Sequence, residues 1–311
     1  MTPHARTRTF LVTLASIVGL VLIGAMVPAG ATYAGTNGEI VYLRGDGLRA
    51  IDPDGSNDGS YLSDVAIHNP QDLSFSFDGS EAVMADYAKA NPRISLIDLA
   101  TDTRTIVLHP KDAPRNEIFS VALSPDGSNV VFCDGFPGNL WTIATDGTGL
   151  TEIAKGYCYA DWGIDGRIVA SKGIFHYDGD RLITTMDADG RNRQVIATMP
   201  TVKQAWTSVY VFVPSWSPDG TTVVFPAQTT RVQPDIWSVS VHGKNLHRLT
   251  HTKQVSESGP IFSPDGTSIV YDKEAGGATI GDLWLMNSDG SNRTVLLSTP
   301  DGQYPLAWRP I

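Results

Sequence analysis

One five-residue string constrains this chain more than any other feature. Trp216-Ser217-Pro218-Asp219-Gly220 is its fullest copy, and Phe262-Ser263-Pro264-Asp265-Gly266 and Leu123-Ser124-Pro125-Asp126-Gly127 are close ones. Phe75-Ser76-Phe77-Asp78-Gly79 and Trp162-Gly163-Ile164-Asp165-Gly166 are worn versions. Proline presets φ for a tight turn, aspartate accepts local backbone bonds, and glycine takes positive φ. A β-rich run follows each copy, as in Thr222-Val223-Val224-Phe225 and Asn129-Val130-Val131-Phe132. Each copy therefore marks a hairpin.

A second string follows each hairpin: Asn139-Leu140-Trp141, Asp235-Ile236-Trp237 and Asp282-Leu283-Trp284. Another turn comes next, at Asp54-Gly55, Asp146-Gly147, Asp189-Gly190 or Asp289-Gly290, and then a short last strand. The unit is four strands. The first-turn aspartates stand at 78, 126, 165, 219 and 265. Four antiparallel strands repeating at that spacing predict a β-propeller. The predicted class is all-β, with six blades over 66–108, 116–154, 157–198, 206–250, 256–298 and a composite of 38–62 with 303–311. In the composite, Tyr304-Pro305-Leu306-Ala307-Trp308 supplies the inner strand that the N-terminal half lacks. Such closure removes an open edge.

The aromatic-Ser-Pro-Asp-Gly and Asp-Leu-Trp strings resemble the WD40-like PD40 repeats of the TolB-like six-bladed propellers. The resemblance covers roughly residues 38 to 311. It implies a binding module, and it does not extend to the separate N-terminal domain of TolB. Some TolB-like propellers act on carbohydrate with a metal and histidines in the channel, which is the rival implication: a lyase or hydrolase.

Residues 1–34 read differently. Arg6 and Arg8 precede an uncharged apolar run from Phe10 to Met26, then small residues from Pro28 to Ala34. This is the pattern of a secretory signal peptide, with an uncleaved anchor as its rival because the run has near-spanning length. Residues 35–311 are expected to form a single domain, monomeric and exported to the periplasm, the cell envelope or the outside.

The whole chain carries 23 Lys and Arg against 33 Asp and Glu, net −10, and loss of Arg6 and Arg8 takes the remainder to −12. Nucleic acid and anionic lipid would want the opposite sign. Export permits a disulfide between Cys133 and Cys158, expected on neighbouring blades; two separate thiols are the alternative.

Motifs of catalysis are missing from the sequence: no Gly-x-Ser-x-Gly elbow, no His-Glu-x-x-His, no phosphate loop. Asp52-x-Asp54-x-Ser56-x-Asp58 resembles an oxygen-ligand loop, but Asn57 stands where a calcium loop needs glycine. These aspartates are read as turn formers, with neither metal nor cofactor expected. The tryptophans at equivalent repeat positions are read as packing between blades. Residues entering the inner strands without repeating from blade to blade are the candidate ligand contacts: His68, Glu117, Tyr157, Tyr159, Trp206, Tyr210, Glu257 and Tyr304. Aromatic and polar groups converging on a concave mouth suit a protein, small-molecule or saccharide partner, and the alternative is that several of them plug the channel. Mass spectrometry of the exported protein is expected to find a new N-terminus near Thr32 or Gly35; an intact Met1 in membrane fractions would establish the anchor instead.

Overall fold

The computed structural model describes residues 36–311 except 46, 89–90, 136–137, 173–180, 200–212, 229–232 and 276–280. The leader or anchor segment, Trp206 and Tyr210 lie outside the described residues. Among those described, no helix is long and apolar enough to cross a membrane.

The strings fold as their turn chemistry requires. In the third blade the Ser124 hydroxyl donates to Asp126 Oδ1 at 2.6 Å and accepts from the Asn129 amide at 2.9 Å. Asp126 Oδ1 also accepts from the Ser128 amide at 3.1 Å. The same set recurs around Asp78, Asp219 and Asp265. In the fourth blade Gly163 replaces the serine, and only the Arg167 amide bonds to Asp165, at 3.0 Å. Six residues past the turn aspartate stands a large side chain with no exposed surface: Met84, Phe132, Phe225 and Tyr271.

Among the described residues, twenty-four strands form six four-stranded antiparallel sheets. The first blade holds β1 (Asn37–Arg44), β2 (Gly47–Ile51) and β3 (Gly59–Ser60). The second holds β4 (Asp72–Phe75), β5 (Glu81–Ala88), β6 (Asn91–Asp98) and β7 (Thr103–Leu108). The third holds β8 (Ile118–Leu123), β9 (Asn129–Asp134), β10 (Asn139–Ala144) and β11 (Thr151–Lys155). The fourth holds β12 (Tyr157–Trp162), β13 (Ile168–Lys172), β14 (Arg181–Met186) and β15 (Gln194–Met199). The fifth holds β16 (Ser215–Trp216), β17 (Thr222–Ala227), β18 (Asp235–Ser240) and β19 (His247–Arg248). The sixth holds β20 (Val255–Phe262), β21 (Ser268–Ala275), β22 (Asp282–Asn287) and β23 (Thr294–Leu297). The last strand, β24 (Tyr304–Pro310), is the inner strand of the first blade and pairs antiparallel with β1.

Each seam between neighbouring blades holds its own apolar cluster, six in all. Trp162, Trp216 and Trp308 are buried in three of these seams. Cys133 of β9 and Cys158 of β12 are joined by a disulfide across the third seam-forming pair of blades, their Cα atoms 5.1 Å apart.

The last strand is held tightly both within the first blade and against the second. Arg309 Nε donates to the Gly79 carbonyl at 3.0 Å, and Trp308 Nε1 to the Gly38 carbonyl at 3.0 Å. Gly79 has φ +68°, and a Cβ there would stand 1.8 Å from the Pro310 carbonyl oxygen. Both the turn and the close approach require glycine. Deletion of residues 303–311 is therefore expected to remove stability comparable with that of a whole domain, about 5–15 kcal/mol, and to cause aggregation. A thermal melt within a few degrees of the intact protein would contradict this role of β24.

Candidate functional site

Six strands approach the axis: β24, β4, β8, β12, β16 and β20. Their inner edges have no further strand to pair with, so a channel remains, with a cavity of about 360 Å³. Tight turns form one mouth, lined by Phe77, Ile164, Pro218, Pro264 and Pro310. At the other mouth the chain enters the inner strands past Gln71, Phe119, Tyr159, Val213 and Tyr304.

Inner-edge amides must be satisfied. Asp72 Oδ1 accepts from the Leu73 amide at 3.0 Å, and its Oδ2 accepts from Val121 of the next blade at 2.9 Å. Asp161 repeats this with Trp162 at 2.8 Å and Trp216 of the next blade at 2.9 Å. Both carboxylates keep some surface open to the channel, but the surrounding wall encloses them deeply. Burial raises Asp72 to about 7, against the pull of its two amides and helped by the charge of Asp161. Burial likewise raises Asp161 to about 6, against the amides of Trp216 and Trp162. Desolvation disfavours the charged form, and among the described residues no cation lines the channel beside either carboxylate to restore it.

A bulge between Cys158 and Ala160 puts Tyr159 at φ +50°. Bulges re-aim side chains, and here the Tyr159 ring comes 6.4 Å from Phe119 at the channel wall.

A groove of about 870 Å³ opens from the same mouth. Leu43, Leu48, Val65 and Ile67 give it an apolar floor, and Arg44, Tyr61, His68 and Glu274 border it. Gln71 and Tyr304 line both the groove and the channel, so the two are continuous. The groove wall from Val65 to His68 is clamped from beneath. Arg93 Nε donates to the buried Asp86 at 2.8 Å, and Arg104 Nη2 at 2.6 Å. Both arginines also donate to the Ala66 carbonyl, and the His68 amide donates to Asp86 at 3.2 Å. Burial works against ionisation of Asp86, but Arg93, the His68 amide and Arg104 hold its carboxyl below the usual range.

Of the candidate contacts, Tyr159 and Tyr304 line the channel, and His68 joins Tyr304 in the groove. Glu117 is exposed and lines neither cavity. Tyr157 is buried between blades, with Lys172 Nζ 5.1 Å and the Arg193 guanidinium 5.5 Å from its ring centre. Glu257 is fully buried and faces the seam with the fifth blade, where Thr252 donates to it at 2.7 Å and Lys273 lies 3.9 Å away. Period-two alternation sends neighbouring residues of a strand to opposite faces, so entering an inner strand does not by itself aim a side chain at the mouth.

Asp72, Asp161 and Asp86 were not among the candidates. A signal for the first two exists: carboxylates in inner strands that otherwise hold apolar or small residues. Among the described residues no group of three or more His, Cys, Asp or Glu converges as a metal site would.

A family model described as the TolB beta propeller domain matches residues 44–311. The Tol-Pal system protein TolB of Anaeromyxobacter dehalogenans (strain 2CP-C) is 29% identical over 118 residues, which are 38% of this chain and 24% of that protein. The chain thus matches about a quarter of that relative's length. The crystal structure of TolB from Acinetobacter baumannii superposes with a TM-score of 0.66 at 19% identity, over 90% of this chain and 67% of that one. An oligogalacturonate lyase in complex with manganese superposes with a TM-score of 0.52 at 17% identity, over 86% of this chain and 74% of that one. At these identities the superpositions show the fold alone.

Replacing Asp86 with alanine is expected to cost about 3–5 kcal/mol, as when one partner is removed from a buried ion pair. The folded carboxyl titrates below its unfolded value, so its contribution is present above about pH 4 and is lost as pH falls through the folded value. Urea denaturation at pH 7 and at pH 3 checks both points. An equal loss at the two pH values would contradict the assignment.

Proposed function

The chain belongs to the TolB β-propeller family, and from that premise we propose that it is an exported, non-catalytic binding module of the cell envelope or its surroundings. The observation that carries this reading is the union of groove and channel at one mouth. An apolar floor with a polar border and a few aromatic contacts is the composition of a binding cleft. The match to a relative named as a Tol-Pal system protein supports an envelope location and a protein partner. Because that match covers 24% of the relative, the relative's assembly is not transferred to this chain.

A second reading, a carbohydrate-active lyase or hydrolase, draws support from the fold shared with the manganese-bound oligogalacturonate lyase. The two readings separate in solution. Incubation of the purified protein with oligogalacturonate and manganese, followed by absorbance of unsaturated product, is expected to give no signal above buffer.

The binding reading is tested by crosslinking capture from cell envelopes. His68→Ala with Tyr304→Ala is expected to remove the captured partner. Arg191→Ala with Lys244→Ala, exposed on the turn face, is expected to retain it. Should the first variant melt early, the exposed His68→Ala alone serves. Retention by the groove variants with loss by the turn-face pair would overturn the assignment of the mouth.

A further inference from the structure

The channel wall has an uneven chemistry. Asp72 and Asp161 are its charged side chains among the described residues, and no lysine, arginine or histidine among them lines it. Around these two carboxylates the wall combines apolar and aromatic side chains, including Phe119, Trp162, Trp216 and Trp308, with the uncharged polar Gln71, Ser74, Ser120, Ser215 and Ser263. Each carboxylate oxygen accepts one backbone amide. A carboxylate offers about four lone-pair positions, so each keeps acceptor capacity toward the lumen. A multivalent metal wants several oxygen or nitrogen ligands in one shell, and among the described residues no third acidic or histidine ligand joins them.

What this wall complements is a single positive charge on a slender apolar stem. Resting on the proposed binding function, we propose that the channel receives the side chain of a lysine or arginine from an extended segment of the protein partner, while the rest of that segment lies in the adjoining groove. The cavity of about 360 Å³ is at the small end of ligand pockets, room for one long side chain and not for a folded element. The stem would replace water against apolar surface, as lysine and arginine stems do when they cover apolar surface. The head would meet the two carboxylates at the channel wall. Continuity through Gln71 and Tyr304 lets one segment occupy groove and channel together.

The arrangement makes capture depend on pH. Burial raises Asp72 to about 7 and Asp161 to about 6, so in the empty channel the pair is largely protonated in mild acid and ionises toward pH 8. A permanently charged head binds the ionised pair, so affinity rises with pH across that window. The groove contributes His68 and Glu274 at its border, and a His68→Ala background takes the imidazole out of the comparison.

Trp162, Trp216 and Trp308 line the channel and give an intrinsic fluorescence readout. The probes are acetylated, amidated Gly-Ser-Lys-Ser-Gly and its arginine, glutamine and norleucine counterparts. Titration of the purified protein is expected to show the lysine and arginine peptides binding at least tenfold more tightly than the other two at pH 8. That advantage should fall at least tenfold at pH 5, in the wild type and in His68→Ala alike. Asp72→Asn with Asp161→Asn should abolish both the preference and its pH dependence; if that variant fails to fold, the wild-type pH profile decides alone. Equal affinity for the four peptides, a pH-independent preference, or no binding of any peptide overturns this inference. If capture of the partner by the groove still holds in those cases, the binding function stands without the threaded cation. If His68→Ala with Tyr304→Ala also leaves capture untouched, the assigned mouth fails with it.

Discussion

The fold depends on its last strand reaching its first. Every blade buries both faces on neighbours, so six apolar seams exist only if the ring is closed. Closure rests on a small group of contacts: β24 against β1, Arg309 against Glu39 at 2.9 Å, and Thr36 exchanging backbone bonds with Ile311 at 3.0 and 3.2 Å. Asn37 adds a two-bond bridge to Asp265 on the sixth blade. The Arg309–Glu39 pair is partly exposed, and such pairs contribute little by themselves. The weight lies in the seams, where Ile40, Tyr42 and Trp308 pack on Val270 and Leu283 of the sixth blade. Closure also creates the channel, since six inner edges arranged in a ring cannot reach the axis.

Much of this architecture was legible because turn chemistry is local. Proline, aspartate and glycine at fixed offsets state their geometry in five residues, and the structure adds the serine, whose hydroxyl bonds both to the aspartate and to the amide five residues on. The second set of turns hid a further rule. Asn57, Asn192, Asn245 and Asn292 stand two residues after the turn glycine, all with positive φ, and Gly149 takes their place in the third blade. Asparagine tolerates that region better than other residues with a Cβ, so Gly-x-Asn is as much a part of the repeat as Pro-Asp-Gly. Asparagine is common in loops of every kind, so a single copy of the string carries little information and only its recurrence does.

The site was less legible, for a reason of geometry. Residues entering an inner strand can face the channel, the groove or a seam, and which they face depends on register and bulges. Tyr159 reaches the channel because a bulge turns it, and Glu257 ends in a seam two positions before Gly259, which lines the channel. Asp72 and Asp161 were masked by the abundance of turn aspartates nearby, although they perform a different task. Buried aspartates near the ends of second strands or at the start of third strands are hidden among the turn aspartates for the same reason. Asp86, Asp134, Asp235 and Asp272 each accept an amide from a segment on the mouth side: His68, Asn139, Thr252 and Gly281.

These carboxylates divide by the company they keep. Asp86 has two arginines against it and is held below the ordinary range despite its burial. Among the described residues Asp272 has the Ser258 hydroxyl and the Gly281 amide, with Glu274 nearby, and it is raised to about 8, chiefly by burial. Among the described residues Asp72 and Asp161 have backbone amides as their partners, and they are raised as well. Among Asp86, Asp72 and Asp161, the partner thus decides whether desolvation wins. Asp86 anchors a groove wall and brings its cations in the same blade, so its charge is constant and the wall is fixed. The channel pair has no such cation among the described residues. A fixed wall lowers the ordering cost of binding, while a lumen whose charge waits for a counter-ion favours occupants that carry one. The rigidity of the groove and the protonation state of the channel therefore follow from one rule applied at two places on the same mouth.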